Sequence, residues 1–119
     1  YKRQDNDRLG KPRDEEDALR MLRALSGRGH TVCTGVSVRR GAQEERFAVS
    51  TRVFFRPMTD DEIRAYIKTG EPMDKAGAYG VQSRGALFVE RIDGDFFNVM
   101  GLPVEQLGLV LARFGVKLL

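Results

Sequence analysis

The stretch HTVCTGVSVRRGAQEERFAVSTRVFFR, residues 30–56, decides the fold class. Residues 30–40 alternate in polarity and are rich in β-branched side chains, which is typical of a strand. Residues 45–56 show the same alternation, and the polar segment GAQEE before them predicts a turn. The two strands are therefore expected to pair antiparallel, and in the second strand the side chains divide between two faces. One face holds Thr51, Val53 and Phe55, and the other holds Arg52 and Phe54.

Two amphipathic helices flank this predicted hairpin. Asp14 is a suitable N-cap for the first helix, and Thr59 with Glu62 has capping-box spacing at the start of the second. Gly27 and Gly70 suit their C-terminal turns. The expected apolar faces are Ala18, Met21, Leu22 and Leu25 in the first helix and Ile63, Tyr66 and Ile67 in the second.

The remaining segments complete the predicted order of elements. Residues 85–92 and 95–100 resemble two strands joined by a turn at Asp93-Gly94, with one phenylalanine of each adjacent pair (54–55 and 96–97) in the core. A last helix is expected to begin near Pro103. It would pack inward through Leu107, Val110, Leu111 and Phe114. The first nine residues lack periodicity and are predicted to form a loop. The order helix, two strands, helix, two strands, helix indicates an α/β domain with a substantially antiparallel sheet.

Composition and charge argue against several classes of protein. The chain has 119 residues, 41% of them hydrophobic, which suits one domain with a modest core. No apolar run approaches the roughly 20 residues that span a bilayer. The net charge of +3 suits anionic small molecules at least as well as nucleic acid, so neither membrane nor nucleic acid is an expected partner. One cysteine and the lack of a signal-peptide pattern favour a cytoplasmic location.

The segment GEPMDKAGAYGVQSRG, residues 70–85, is the candidate binding loop. Asp74 is an oxygen ligand suited to Mg²⁺ or Mn²⁺, and Lys75 offers a charge for phosphate. Gly77 and Gly80 let backbone N–H groups approach an anion. Gln82 carries a donor and an acceptor that can read the edge of a nucleobase. Composition alone favours the alternative interpretation, a surface loop with an ion pair.

For two further residues, Cys33 and Lys11, a purely structural interpretation competes with a functional one. Cys33 is expected to be a buried thiol, because a catalytic thiol needs a positioned base and His30 would lie on the opposite face of the same strand. Lys11, in the segment GKP, is by itself a solvated lysine before a helix. One cysteine and one histidine also argue against a zinc site.

The longer pattern around these residues resembles the Maf family of nucleoside triphosphate pyrophosphatases, also labelled septum-formation inhibitor proteins. The segments that carry the resemblance are LGKPRDEEDALRMLRALSGRGHTVCTGV at 9–36, FRPMTDDEIRAYIKTGEP at 56–72, DKAGAYGVQ at 74–82 and GDFFNVMGLPV at 94–104. The match covers residues 9–115. It implies an α/β fold like that of the Maf and ITPase-like proteins, with a bent mixed sheet flanked by helices and a nucleotide cleft between two lobes.

The resemblance also implies an activity and a set of residues. Family members use a divalent metal, Mg²⁺ or Mn²⁺, to hydrolyse a nucleoside triphosphate to the monophosphate and pyrophosphate. The DKAGAYG-then-Gln form is similar to the branch that acts on dTTP, UTP and modified pyrimidine nucleotides. Lys11, Asp74 and Lys75 would act in catalysis, with Asp74 as a metal ligand. Substrate would be bound by Gln82, Gly77, Gly80 and Glu71. Family members often pair as dimers, so the resemblance suggests a homodimer.

The resemblance covers the C-terminal two-thirds of the family pattern, so residues 1–119 are expected to form one partial domain of this type. The pattern's first strand, with a serine and paired arginines, and its Ala-Asp-Thr segment have no match here. The aspartate of that segment is the family's proton acceptor. We therefore expect these 119 residues alone to be inactive or prone to aggregate, and the intact protein to be an active hydrolase. The alternative is a non-catalytic nucleotide-binding or septum-formation regulatory protein.

Overall fold

The computed structural model describes residues 2–4 and 7–119. In that part of the chain, one sheet of five strands packs against helices in an α/β arrangement, as predicted. The strands are β1 (Lys2–Gln4), β2 (Asp7–Leu9), β3 (Gly29–Arg40), β4 (Gln43–Phe55) and β5 (Val89–Asp93). The α-helices are α1 (Glu15–Leu25), α2 (Asp60–Lys68), α3 (Phe96–Met100) and α4 (Val104–Arg113). Short 3-10 turns occupy Glu71–Asp74, Ala76–Ala78 and Arg84–Phe88.

The hairpin of β3 and β4 forms the centre of the sheet. Its pairing is antiparallel and runs without interruption from Gly29 opposite Phe54 to Arg40 opposite Gln43. The turn is shorter than the predicted GAQEE segment, because β4 already begins at Gln43. Gly41 has a φ of 60°, a conformation that glycine adopts without a steric penalty, and this allows the tight turn.

Residues 2–4 and 7–9 do not form the predicted loop. β1 pairs with β2 and also extends the sheet beside β3, so the strand order is β2-β1-β3-β4-β5. All pairs are antiparallel. The prediction was wrong because each strand has only three residues. Such a strand is too short for a periodic pattern and depends on pairing with a neighbour.

The predicted helices α1 and α2 are confirmed together with their caps. The Asp14 carboxylate accepts a hydrogen bond from the Asp17 N–H at 2.8 Å. Thr59 and Glu62 form the reciprocal capping box at the start of α2. The two helices bury the predicted apolar faces against the sheet and each other. Those faces are Ala18, Met21, Leu22 and Leu25 in α1 and Ile63, Tyr66 and Ile67 in α2.

Alternation along β4 determines which side of the sheet is covered. Thr51, Val53 and Phe55 are buried, whereas Arg52 is exposed, as the period-two pattern predicts. Phe54 lies on the outer face, where the Arg91 guanidinium of β5 stacks 3.9 Å from its ring centroid. The core therefore lies on one side of the sheet.

The segment after the binding loop differs from its prediction. Residues 84–88 form a 3-10 turn, and of the predicted strand 85–92 only residues 89–92 are extended, in a strand that ends at Asp93. The predicted strand 95–100 is the helix α3. Its cap is the Asp95 carboxylate, which accepts hydrogen bonds from the N–H groups of Phe97 and Asn98 at 2.8 and 3.2 Å. The aromatic run FFNVM has strand-like composition, but a cap can start a helix regardless of propensity.

The two phenylalanines of α3 are more exposed than predicted. Phe96 and Phe97 retain 43% and 53% of their surface exposed, so the prediction that one of them is in the core was wrong. In the final helix, Val110 and Phe114 are buried as predicted, while Leu107 and Leu111 are only partly covered. Among the described residues, no helix has the length and apolar character needed to cross a membrane.

Asp17 stabilises the turn that leads from the GKP segment into α1. Its buried carboxylate accepts hydrogen bonds from the Arg13 N–H at 3.0 Å and from the Arg20 guanidinium at 2.7 Å. The backbone bond from Arg13 and then the Arg20 guanidinium lower the pKa of Asp17 to about 2. The carboxylate is therefore preferred in the folded state, and its stabilising contribution is lost as it becomes protonated.

We predict that Asp17→Asn flattens the acid limb of the stability profile. A carboxyl with an ordinary pKa of 3.8 and a folded pKa of about 2 contributes stability above about pH 4 and loses that contribution as the pH falls towards 2. Urea unfolding between pH 2 and 6 measures the effect. Glu62→Gln should also reduce the slope, because the Arg56 guanidinium lowers the pKa of Glu62 to about 2. A profile for Asp17→Asn parallel to that of the parent would contradict this prediction.

Candidate nucleotide cleft

A cleft of about 400 Å³ opens beside the loop of residues 71–83. This loop forms one wall. The wall contains residues of the 3-10 turns Glu71–Asp74 and Ala76–Ala78 and of the segment 79–83 that follows them. Val32 and Thr34 of β3 and residues 98–101 at the end of α3 supply the rest of the lining. The volume is within the range of small-ligand sites.

The structure brings five of the predicted site residues to this cleft. They are Glu71, Asp74, Lys75, Gly80 and Gln82. Three of them carry polar side chains that are open to solvent at the cleft, namely Asp74, Lys75 and Gln82. A cation, a carboxylate and an amide are thus available together to a ligand.

The other two predicted residues do not line the cleft. Lys11 has an exposed side chain outside it, and Gly77 is buried behind it. The two segments nevertheless touch, because the Gly77 N–H donates to the carbonyl of Gly10 at 3.0 Å. The GKP segment is therefore tied directly to the turn that carries Lys75.

A tight turn decides which side chains of the loop face outward. Gly77 and Ala78 adopt left-handed φ values of 78° and 70° in succession, and the Ala78 N–H donates to the carbonyl of Lys75 at 3.0 Å. A positive φ is unfavourable for alanine by roughly 1–2 kcal/mol and persists where the surroundings enforce it. Ala78 is fully buried. The turn leaves Lys75 exposed and sends Tyr79 into the core.

Tyr79 anchors the loop to the sheet. It is fully buried, and its hydroxyl lies 2.6 Å from Nε2 of the buried His30 in β3. Its ring packs edge-to-face against Phe55 of β4, with centroids 4.7 Å apart. Burial raises the pKa of Tyr79, so the hydroxyl stays protonated as a hydrogen-bonding group. The centre of the cleft wall is therefore held by the two central strands.

A second tyrosine holds the loop from the side of α2. The Tyr66 hydroxyl accepts a hydrogen bond from the Gly80 N–H at 3.1 Å. Glu71 in turn accepts from the Gly85 N–H at 3.2 Å. The carboxylate of Glu71 is thus engaged by its own loop, and its predicted contact with substrate stays a prediction.

The opposite part of the lining is held by Asn98. This side chain is completely buried, and its amide nitrogen lies 3.2 Å from the carbonyl oxygen of Val32 and 2.9 Å from that of Val49. It also lies 3.1 Å from the hydroxyl of Thr51. Both carbonyls belong to the central hairpin, so Asn98 fastens α3 onto the face of the sheet.

Comparison with known proteins decides the family. Residues 3–114 match the family described as "Maf-like protein". The chain belongs to the Maf family. This confirms the resemblance that the segments around DKAGAYGVQ carry.

Three curated relatives of this Maf chain are each named dTTP/UTP pyrophosphatase. The relative from Bacillus velezensis is 52% identical over 113 residues, which cover 95% of this chain and 60% of the relative. The relative from Carboxydothermus hydrogenoformans is 55% identical over 109 residues, covering 90% of this chain and 59% of the relative. The relative from Thermococcus onnurineus is 58% identical over 97 residues, covering 82% of this chain and 53% of the relative. The chain thus spans about 60% of the length of the first relatives.

Sequence reasoning missed the roles of three residues that build the cleft. Tyr66 was predicted only as part of a buried stripe, Tyr79 only as part of a polar loop, and Asn98 only as part of a strand. A signal existed for the first, since a tyrosine in a buried stripe usually has a partner for its hydroxyl. The partners themselves are 14 to 66 residues away along the chain, so local patterns do not reveal them.

Two other predictions concern the single cysteine and metals. Cys33 is partly exposed rather than buried, and it alternates with His30 across β3, which keeps the two on opposite faces. Within residues 10–119, whose side chains the structure describes, no group of three or more His, Cys, Asp or Glu could hold a metal ion. A cation at this cleft would therefore depend on ligands other than these side chains alone.

We predict that Asn98→Ala destabilises the protein by about 1–3 kcal/mol, because the change removes a buried donor from two strand carbonyls. Urea unfolding at neutral pH measures the difference. Ser37→Ala is a suitable control, since it removes a polar side chain bonded only to an exposed partner, Glu44. That variant should stay within about 0.5 kcal/mol of the parent. Equal stability of Asn98→Ala and the parent would show that Asn98 does not fasten α3 to the sheet.

Proposed function

We propose that this chain forms the base-recognising and phosphate-facing part of a pyrophosphatase acting on dTTP and UTP. The reaction would cleave the bond between the α- and β-phosphates and give the nucleoside monophosphate and pyrophosphate. The observation that carries the proposal is the exposure of Asp74, Lys75 and Gln82 on one wall of a nucleotide-sized cleft. The printed names of the relatives support the same substrates.

Lys75 would neutralise charge on the triphosphate. Cleavage of a phosphoanhydride depends mainly on positioning and on stabilising negative charge on the phosphate oxygens. The ammonium group of Lys75 is open to the cleft, and Gly80 lies beneath its side chain. Lys11 would add a second positive charge from the GKP segment, which contacts the same turn through Gly10.

Gln82 would select the base. The pyrimidine ring of thymine or uracil presents a carbonyl oxygen and an N–H group side by side, and an amide can pair with both. Cytosine presents the donor and the acceptor in the opposite order, so it would pair less well with an amide held in the orientation that suits uracil. The exposed amide of Gln82 at the cleft supports this role.

We include a divalent cation, Mg²⁺ or Mn²⁺, in the proposal. Mg²⁺ is commonly held by one or two carboxylates together with substrate phosphates and water. Asp74, an exposed carboxylate at the cleft, fits that mode of binding. When bound, the cation would neutralise phosphate charge, while Lys75 orients the same phosphates.

The second candidate is a nucleotide-binding protein without catalysis, including the regulatory role that the septum-formation label suggests. It is favoured by one observation: the chain spans about 60% of the relatives' length, so the catalytic set need not be complete in these residues. Binding of dTTP without turnover would distinguish this candidate from the enzyme.

We predict that the 119-residue chain alone releases no pyrophosphate above the blank. A fusion should release it selectively from dTTP and UTP, where the fusion supplies the part of the Bacillus velezensis relative outside the matched residues. The measurement is pyrophosphate release from dTTP, UTP, CTP, GTP and ATP with Mg²⁺ or Mn²⁺. The complete relative is the positive control, and circular dichroism verifies that the fusion is folded.

Each result of that experiment is decisive for one part of the proposal. Robust turnover by the isolated chain, with its mass verified, would refute the prediction of inactivity. A folded fusion without turnover would refute the proposal that the protein is a pyrophosphatase. If that fusion still binds dTTP in calorimetry, the result would favour the non-catalytic candidate.

We predict that Gln82→Ala changes base preference more than stability. The preference for dTTP and UTP over CTP should fall about 3- to 10-fold, the effect of losing one hydrogen bond to the base. Relative kcat/KM values in the active fusion measure this ratio. Gln43→Ala, on the exposed end of the hairpin, is the matched control and should leave the ratio unchanged. Unchanged ratios in Gln82→Ala would exclude Gln82 as the selector.

A further inference from the structure

Tyr66 lies outside the cleft lining, yet its hydroxyl is at the centre of the hydrogen bonds that shape the cleft loop. Its side chain is nearly buried on α2, and its ring packs edge-to-face against Phe88 with centroids 5.2 Å apart. The capping box and the ion pair between Arg56 and Glu62, at 2.7 Å, stabilise the start of the same helix. The hydroxyl is therefore presented from a rigid element.

The hydroxyl lies where segments of the loop meet. The Gly80 N–H donates to the Tyr66 oxygen at 3.1 Å, and the Glu71 carboxylate accepts from the Gly85 N–H at 3.2 Å. Burial, and after it the neighbouring Glu71 carboxylate, raise the pKa of Tyr66, so the hydroxyl stays protonated at every physiological pH. Tyr66 thus holds the middle of the loop directly, and Glu71 joins the start of the loop to its end.

Close packing leaves little room for a side chain at Gly80 or Gly85. A Cβ atom at Gly85 would overlap the carbonyl oxygen of Gly80 and lie 2.8 Å from the Tyr66 hydroxyl. A Cβ atom at Gly80 would lie 3.3 Å from Cε of Lys75 and 3.4 Å from a carboxylate oxygen of Glu71. The Lys75 side chain therefore crosses directly over the residue that Tyr66 holds, and Gln82 follows two positions later.

We propose that Tyr66 is a positioning residue, whose hydroxyl fixes the cleft loop through the Gly80 N–H so that Lys75 and Gln82 face the nucleotide together. The inference rests on the proposed function for its consequence in catalysis. In its structural part it requires no ligand. Glu71 supports the same arrangement, because it joins the start of the loop to the Gly85 N–H.

The test is Tyr66→Phe, which removes the hydroxyl and keeps the ring. Amide hydrogen exchange, followed by NMR in the folded fusion, should accelerate about tenfold or more at Gly80 and to a lesser extent at Gly85. Exchange in the central strands β3 and β4 should stay close to that of the parent. In the active fusion, the kcat/KM ratio of dTTP to CTP should fall about 3- to 10-fold, the effect expected from a misplaced hydrogen bond.

Phe88→Leu is the matched control, because it disturbs the ring packing of Tyr66 and leaves the hydroxyl in place. It should lower the melting temperature without changing the dTTP to CTP ratio. Unchanged exchange at Gly80 in Tyr66→Phe would overturn the inference, as would accelerated exchange with an unchanged ratio. If the parent fusion shows no turnover at all, the proposed function fails, and the exchange experiment still decides whether Tyr66 holds the loop.

Discussion

The hydrogen bond between His30 and Tyr79, at 2.6 Å in the core, is the contact on which the candidate site depends. It joins a residue of the central hairpin to a residue in the middle of a loop that is otherwise polar and rich in glycine. A hydrogen bond between two buried polar groups offsets part of the free-energy cost of burying them, so this contact favours the arrangement in which both side chains are in place. Phe55 packs against both rings, with centroids 5.2 and 4.7 Å away. The centre of the loop, at Tyr79, is therefore part of the protein core.

This anchoring explains the unusual backbone of the loop. Tyr79 can enter the core only if the chain reverses just before it, and the successive left-handed residues Gly77 and Ala78 perform that reversal. Strain at Ala78 is tolerated because burial of a tyrosine side chain stabilises the folded state by more than the roughly 1–2 kcal/mol that the conformation costs. The reversal also leaves Lys75 exposed on the opposite side. A single packing requirement therefore determines the orientation of a charged group at the cleft.

The two parts of the cleft lining are held by separate polar contacts of different kinds. The loop is fixed by the hydroxyl of Tyr66 in α2 and by that of Tyr79 in the loop itself. The helix α3 is fixed by the buried amide of Asn98. Buried polar groups of this sort contribute modestly to stability when paired, but they strongly penalise any arrangement that leaves them unpaired. They consequently define the shape of the cleft more sharply than apolar packing would. A site that recognises a base edge by hydrogen bonding needs that definition.

Local patterns by themselves determined the antiparallel hairpin and both capped helices, and they marked residues 70–85 as a polar, glycine-rich loop. Alternation along β4, the capping box at Thr59 and the glycines of residues 70–85 act over a few residues and are legible in sequence. The tertiary structure alone decided that residues 2–4 and 7–9 add strands to the sheet and that Phe96 and Phe97 stay exposed. It alone placed Tyr66, Tyr79 and Asn98 where their hydrogen bonds hold the walls of the cleft. Each of these outcomes depends on partners far away along the chain, and no local propensity encodes contacts of that range.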